Sequence, residues 1–192
     1  MIGIIGAMEE EVAALKSEMA DAKVTEFASM TFYKGTLCGK DAVVVRSGIG
    51  KVNAAICAQL LVDKFGVDTL INTGIAGSLD ARIDIGDMVI STDAVHHDMD
   101  ATIFGDAIGQ VPRMDTRTFP ADPHLVELAV KANEKANPQI HTFTGRVASG
   151  DQFISSGEVK ARIVENFQAL CTEMEGAGIA HAAYLNKVSY VI

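Results

Sequence analysis

Residues 68–79, Asp68-Thr-Leu-Ile-Asn-Thr-Gly-Ile-Ala-Gly-Ser-Leu79, constrain this chain more than any other stretch. The apolar pair Leu70-Ile71 runs into Asn72, Thr73, Gly74, Ala76 and Gly77. That pattern predicts a buried strand ending in a tight turn of small residues. In open α/β sheets, ligands sit just beyond the carboxyl ends of strands, and glycine there lets backbone come close to a ligand. The same glycines also suit a turn that binds nothing. The rest of the chain decides between the two.

What precedes the turn repeats its plan. Ile2–Ile5 is a short apolar strand that Gly6-Ala7 turns into a helix from about Met8 to Met19. Met8, Val12, Leu15 and Met19 recur at helical spacing and form its buried stripe. Residues 30–37 and 41–46 read as strands joined by a hairpin at Cys38-Gly39-Lys40. Val43-Val-Val45 suits a strand buried on both faces. It ends in Arg46-Ser-Gly-Ile-Gly50, and a helix follows from about Lys51 to Lys64, broken at Gly66. Strand, glycine loop, helix, strand is the pattern of a parallel α/β layout.

Beyond the turn, Asp87–Ser91 reads as the next strand. A long segment of few periodic features then runs to about Phe119. Loops of that length are usually functional or part of an interface. Asp122-Pro123 is a cap followed by proline at the first helical position, and Leu125, Leu128, Ala129 and Ala132 give that helix its face. Thr142–Ser149 is a strand, and Gly150–Ser155 is a loop at its end. Ser155-Ser-Gly-Glu158 matches a capping box for a helix to about Phe167. A short strand, Ala169–Thr172, leads to Glu173-Met-Glu175, then a small-residue helix to Tyr184 and a strand over Val188–Ile192.

Size and charge narrow the class. A chain of 192 residues matches one ordinary domain. The net charge of −9, with 16 scattered basic residues, argues against nucleic acid or an acidic membrane as partner. No stretch approaches the ~18 apolar residues of a membrane span. Cys38, Cys57 and Cys171 are widely spaced, show no metal or disulfide pattern, and read as buried thiols in a reducing, cytoplasmic setting.

Three features gather at predicted strand ends: Glu11, the 74–77 turn, and Glu173-Met-Glu175. Glu11 lies beside the apolar face of the first helix, in a turn whose free N–H groups favour a carboxylate. Two carboxylates from distant parts of a chain suit sugar chemistry. One activates water, and the other accepts hydrogen bonds from ribose hydroxyls. C–N glycosidic cleavage passes through an oxocarbenium-like state that negative charge stabilises. Glu11 and Glu175 also fit plain helix-start positions, Glu173 fits a satisfied or peripheral carboxylate, and Phe153, Ile154 and Met174 also fit a core. His96 and His97 with Asp98 and Asp100 make a poor metal cluster, because adjacent histidines rarely reach one ion together. Gly3-x-x-Gly6 lacks the third glycine of a dinucleotide fingerprint, and the Glu9-Glu10-Glu11 run after it is hostile to pyrophosphate.

Five segments in order, Ile4-Ile-Gly-Ala-Met-Glu-Glu-Glu11, Ser47-Gly-Ile-Gly-Lys-Val52, Asn72-Thr-Gly-Ile-Ala-Gly77, Ser149-Gly-Asp-Gln-Phe-Ile154 and Glu173-Met-Glu175, resemble bacterial 5′-methylthioadenosine/S-adenosylhomocysteine nucleosidases. The resemblance covers essentially the whole chain. It implies a single-domain, three-layer α/β/α fold of the nucleoside phosphorylase type, with a mixed central sheet. It implies hydrolysis of the N-glycosidic bond of methylthioadenosine and S-adenosylhomocysteine, with 5′-deoxyadenosine as a further candidate, and no cofactor or metal. By motif, Glu11 would activate water and Glu175 would bind the ribose hydroxyls, with Glu173 beside it and Met174 along the sugar. Phe153 would stack on adenine, and the Ile154 backbone would meet its edge. Ala76 and Gly77 would line the base and sugar region, and Ile49 would flank the 5′-alkylthio group. The family is homodimeric, which would place the 96–119 loop at the interface.

Two positions depart from the family pattern. Ile75 stands where members commonly carry serine, and Asp106 where the loop commonly carries tyrosine. The family also continues past the final strand into an Arg-x-x-Ser-Asp segment, whose aspartate protonates the leaving adenine, and then a helix. The resemblance therefore implies that this domain lacks its last strand-end loop and C-terminal helix. A phosphate-dependent nucleoside phosphorylase of the same fold is the nearest alternative. A catalytically impaired nucleoside-binding module is another, if the chain truly ends at Ile192.

Overall fold

The computed structural model describes residues 1–192. Its first strand, β1 (Ile2–Gly6), lies at the middle of a six-stranded mixed sheet. Helix α1 spans Glu9–Ser17. The hairpin β2 (Ala20–Phe27) and β3 (Met30–Leu37) follows, then β4 (Lys40–Arg46). Helix α2 (Lys51–Phe65) crosses over to β5 (Thr69–Asn72). β4 and β5 both run parallel to β1, so Ile4 is level with Val44 on one side and Ile71 on the other. The last strand, β11 (Ser189–Val191), adds in parallel to β5, giving the order β11-β5-β1-β4-β3-β2.

A second mixed sheet has the order β6-β10-β9-β7-β8. Its members are β6 (Gly77–Ser78), β7 (Met88–His96), β8 (Phe119–Pro120), β9 (Thr142–Ser149) and β10 (Cys171–Glu173). The two sheets meet where Ser91 N–H donates to the Ile192 carbonyl (2.8 Å) and Ile192 N–H donates to Ser91 Oγ (2.9 Å). The helices α3 (Pro123–Ala136), α4 (Gly157–Phe167) and α5 (Gly176–Asn186) complete the chain.

Alternation along the buried strands sorts the helices into layers. Ile5, Val43 and Val45 turn to one face, where α2 and α5 bury Cys57, Leu61, Ile179 and Ala180 against them. Ile4, Ala42 and Val44 turn to the other, where Val12 of α1 is fully buried. α5 is built of small residues because it runs against α2. A Cβ on Gly178 would stand 2.7 Å from the Lys51 carbonyl oxygen. The main core takes residues from both sheets, Val45 and Leu70 from one and Ala94 and Phe119 from the other.

Several local expectations need correction. β2 was not expected from the sequence. Its side chains are exposed until Phe27, so it carries no apolar alternation, and it is ordered by backbone pairing with β3. β7 runs on to His96 instead of stopping at Ser91. The polar Thr92-Asp93 is carried through a register shift because Arg146 of β9 pairs Asp93 (Nε to Oδ1, 2.6 Å; Nη2 to Oδ2, 3.0 Å). α4 begins after Ser156, and no side chain caps it, so the capping box at 155–158 does not form. α3 is capped as expected, Asp122 accepting from His124 N–H (2.9 Å) and Leu125 N–H (3.2 Å), but its buried residue is Asn133 and not Leu128. Cys57 and Cys171 are buried, whereas Cys38 is exposed at the hairpin tip, at φ +48°.

Candidate active site

The carboxyl ends of β1 and β5 lie side by side, so the start of α1 and the 73–77 turn meet. Glu11 sits at that junction. Its Oε2 accepts from Ala7 N–H (2.7 Å) and Met8 N–H (3.0 Å), two donors left open by the helix start. Its Oε1 accepts from Ile75 N–H at 3.1 Å. The approach is only open because residue 74 is glycine, since a Cβ there would lie 2.5 Å from Glu11 Oε1. Gly77 is different. A Cβ at that position would meet nothing closer than 3.7 Å, and its backbone pairs with Thr172.

The second pair of carboxylates leaves β10. Glu173 Oε2 accepts from Glu175 N–H (2.9 Å) and Gly176 N–H (2.7 Å), the open donors of α5. Its Oε1 accepts from the Ser149 hydroxyl, whose oxygen in turn accepts from Ala177 N–H (2.7 Å). Burial pushes the Glu173 carboxyl up to about 7 against these hydrogen bonds. Glu175 Oε1 accepts from Gly50 N–H at 2.7 Å. Burial raises its pKa, the Gly50 N–H opposes that rise, and the charge of Glu11 adds to it. The two carboxylates are therefore near enough to sense each other.

These groups line a cavity of about 840 Å³. Glu11, Ala76, Glu173 and Glu175 are on its wall, with Ile75, Ile71 and Ile192. The cavity extends between α3 and β7, past Ala129, Asn133 and Met88. The remaining expected residues lie off that wall. Ile49 and Phe153 are 55% and 88% exposed. Ile154 packs its side chain into the cluster around Phe167, and Met174 is half-buried between the two glutamates. The structure thus brings Glu11, Glu175, Glu173 and Ala76 together in one cavity and leaves Phe153 and Ile49 on flanking loops.

Sequence reasoning missed a set of charged and polar supports. Lys51 Nζ pairs with Asp98 and lies 3.9 Å from Asp151 Oδ2. His97 lies under Gly150, where a Cβ would come within 2.4 Å of its ring. His96 Nε2 faces His181 Nδ1 at 3.3 Å, and Phe119 stacks on His181 with ring centroids 4.6 Å apart. Burial and the nearby Lys51 charge bring His96 down to about 4, which keeps it neutral at physiological pH. Lys51 lay within a quoted motif, but its partners are 47 and 100 residues away, beyond the reach of local spacing. No three His, Cys, Asp or Glu side chains are grouped to hold a metal ion.

Comparison with known proteins identifies the family. The family model for the phosphorylase superfamily matches residues 1–192. A 5′-methylthioadenosine/S-adenosylhomocysteine nucleosidase of Staphylococcus saprophyticus is 45% identical over 194 residues, covering all of this chain and 83% of the relative. The nucleosidase of Neisseria meningitidis, solved with methylthio-immucillin-A, superposes with a TM-score of 0.95 at 39% identity, over 100% of this chain and 82% of that one. That of Colwellia psychrerythraea, solved with adenine, gives a TM-score of 0.94 at 45% identity, over 99% and 78%. No helix here is long and apolar enough to cross a membrane. Matched over residues 1–192 by the superfamily model and 45% identical to a nucleosidase of which it covers 83%, the chain belongs to the phosphorylase superfamily and, within it, to the 5′-methylthioadenosine/S-adenosylhomocysteine nucleosidase family.

Proposed function

We propose that this protein is an N-glycosyl hydrolase that splits 5′-methylthioadenosine and S-adenosylhomocysteine into adenine and the corresponding thioribose. The observation that carries this reading is Glu11, held by three backbone N–H groups at the cavity wall within electrostatic reach of Glu175. Three donors fill only part of a carboxylate's acceptor capacity, so Glu11 can still accept from a water and draw its proton as the water attacks the anomeric carbon. Glu175 accepts from the ribose hydroxyls, with Met174 beside the sugar. Glu173 holds the start of α5 in place beneath it. Negative charge from this pair favours the oxocarbenium-like transition state.

Ala76 and Gly77 border the base and sugar, Phe153 stacks on adenine, and the Ile154 backbone meets the base edge. Ile49 flanks the alkylthio group. The 192 residues act as one nucleosidase domain, supported by a core that runs through both sheets. Two copies associate through the 96–119 loop, where Ile103 and Phe104 are 88% and 85% exposed, and that contact covers the 5′ end of the pocket. The protein works in the cytoplasm, in keeping with its two buried free thiols. The phosphorylase reading has no support of its own. Glu11 already occupies the open N–H groups at the start of α1, and Arg46, the obvious counterweight for phosphate, is exposed.

Product analysis with methylthioadenosine, with and without phosphate, tests the assignment. Adenine and free methylthioribose at a phosphate-independent rate are expected. A phosphorylated sugar formed only with phosphate would overturn it. Light scattering of the wild type against Phe104→Asp tests the association, a dimer being expected only for the wild type.

A further inference from the structure

Glu175 is gripped by a loop whose own position depends on charge. The Gly50 N–H that holds its Oε1 belongs to the residue preceding α2, at φ +98°, with no side chain to anchor it. Anchorage comes from the next residue. Lys51 N–H donates to Asp151 Oδ1 at 2.9 Å, and Lys51 Nζ pairs with Asp98 while lying 3.9 Å from Asp151 Oδ2. Asp151 N–H donates to Asp98 Oδ2 at 2.9 Å, closing the ring. One ammonium and two carboxylates thus tie together residues 50–51, 98 and 151, which come from three separate loops. The fit is close. A Cβ on Gly50 would lie 3.2 Å from Asp151 Oδ1, and Gly178 of α5 packs against the Lys51 backbone. The side chains of Lys51 and Asp98 are largely buried, whereas Asp151 is half exposed.

We propose that Lys51, clasped by Asp98 and Asp151, is a positioning residue that sets the Gly50 N–H against Glu175 and thereby fixes the ribose-binding carboxylate. The inference rests on the assignment of Glu175 to ribose recognition. Burial works against the charged form of Asp98, and hydrogen bonds from the Lys51 ammonium and the Asp151 N–H outweigh it, holding the Asp98 carboxyl below its usual range. Without the ammonium, two carboxylates would face each other across the Gly50 loop. Their repulsion would draw that loop off Glu175, leaving the carboxylate oriented by nothing but its own torsions. Ligands with a ribose should feel the change, and the free base should not.

Binding of methylthioadenosine and of adenine, measured by calorimetry on the full chain carrying Glu11→Gln so that the nucleoside is not consumed, provides the test. Lys51→Met is expected to weaken methylthioadenosine ~10-fold while changing adenine less than ~2-fold, and Lys51→Arg to restore most of the loss. If the clasp acts through Glu175, the same Lys51→Met change in a Glu175→Gln background is worth less than ~2-fold, because the two sites are coupled. Equal losses for adenine and methylthioadenosine, or losses that multiply in the double variant, would overturn the proposal and leave Lys51 as a general structural residue. A Glu11→Gln parent that binds methylthioadenosine no better than adenine would instead remove the ribose-binding role of Glu175, and this inference with it.

Discussion

Glu11 and Phe153, proposed to meet the anomeric carbon and the adenine of one substrate, are held in opposite ways. Glu11 is fixed by three backbone N–H groups and by the missing side chain of Gly74. Glu175 and Glu173 are likewise held by N–H groups of Gly50, Glu175 and Gly176. Phe153, Ile49 and Ile75 instead present 88%, 55% and 78% of their surface to solvent. The carboxylate side has its geometry set before substrate arrives, as a group that must stabilise a transition state requires. On the proposed function, the aromatic and alkyl side would gain its burial from the ligand or from a second copy of the chain, and so contribute to affinity. Rate and affinity should therefore separate between the two regions.

The largest effect is expected for Glu11→Gln, which keeps the shape and removes the base. The turnover of methylthioadenosine should fall ~10²–10⁴-fold while its dissociation constant changes only a few-fold. Unchanged adenine release from this variant would break the contrast at its strongest point. Gly74→Ala comes next. The added methyl must displace Glu11 Oε1, from which it would stand 2.5 Å, so kcat should drop ~10²-fold with little change in melting temperature. Residue 74 is not among the positive-φ glycines, so the loss would come from displacement of the carboxylate and not from backbone strain.

On the soft side, Phe153→Ala should raise KM ~10-fold or more with kcat nearly unchanged, as expected for a lost stacking surface. A loss in kcat as large as that from Gly74→Ala would mean that the two regions are not separable. The smallest effect concerns stability. Burial raises the Glu173 carboxyl from 4.5 to about 7, so between these values the folded state binds more protons than the unfolded one. That contribution is fully present below pH 4.5 and is lost as pH rises through 7. The melting temperature of the wild type relative to Glu173→Gln should fall by several degrees across this range, at about 2–4 °C per kcal/mol of lost stabilisation. A difference that grows with pH would contradict the burial of Glu173.

Local pattern made much of this legible. The apolar run before Gly74 marked β5 and its turn, and Glu11 stood out because it lies beside the apolar stripe of α1 at the dipole's positive end. Glu173 and Glu175 were visible at a strand end, although not the division of labour between them. Both oxygens of Glu173 are taken by protein donors, while one oxygen of Glu175 is held by a single N–H from residue 50. The cap at Asp122 was readable and the box at Ser155 was misleading, because a cap motif reports a favourable local option that the surrounding chain need not use.

The sequence by itself determined the α/β class, the main strands and helices, and the glutamates at the strand ends, each through periodicity or residue types within a few positions of one another. Five short segments carried the family resemblance. Tertiary structure alone decided the polar edge strand β2, the extension of β7 past Ser91, the exposure of Phe153 and the clasp around Lys51. β2 is ordered by pairing with β3, Asp93 by Arg146 across the sheet, and Lys51 by carboxylates from two other loops. Burial of a charge or an edge is stable only when its partner is in place. The identity of that partner is a property of the folded chain and not of the segment that carries the charge.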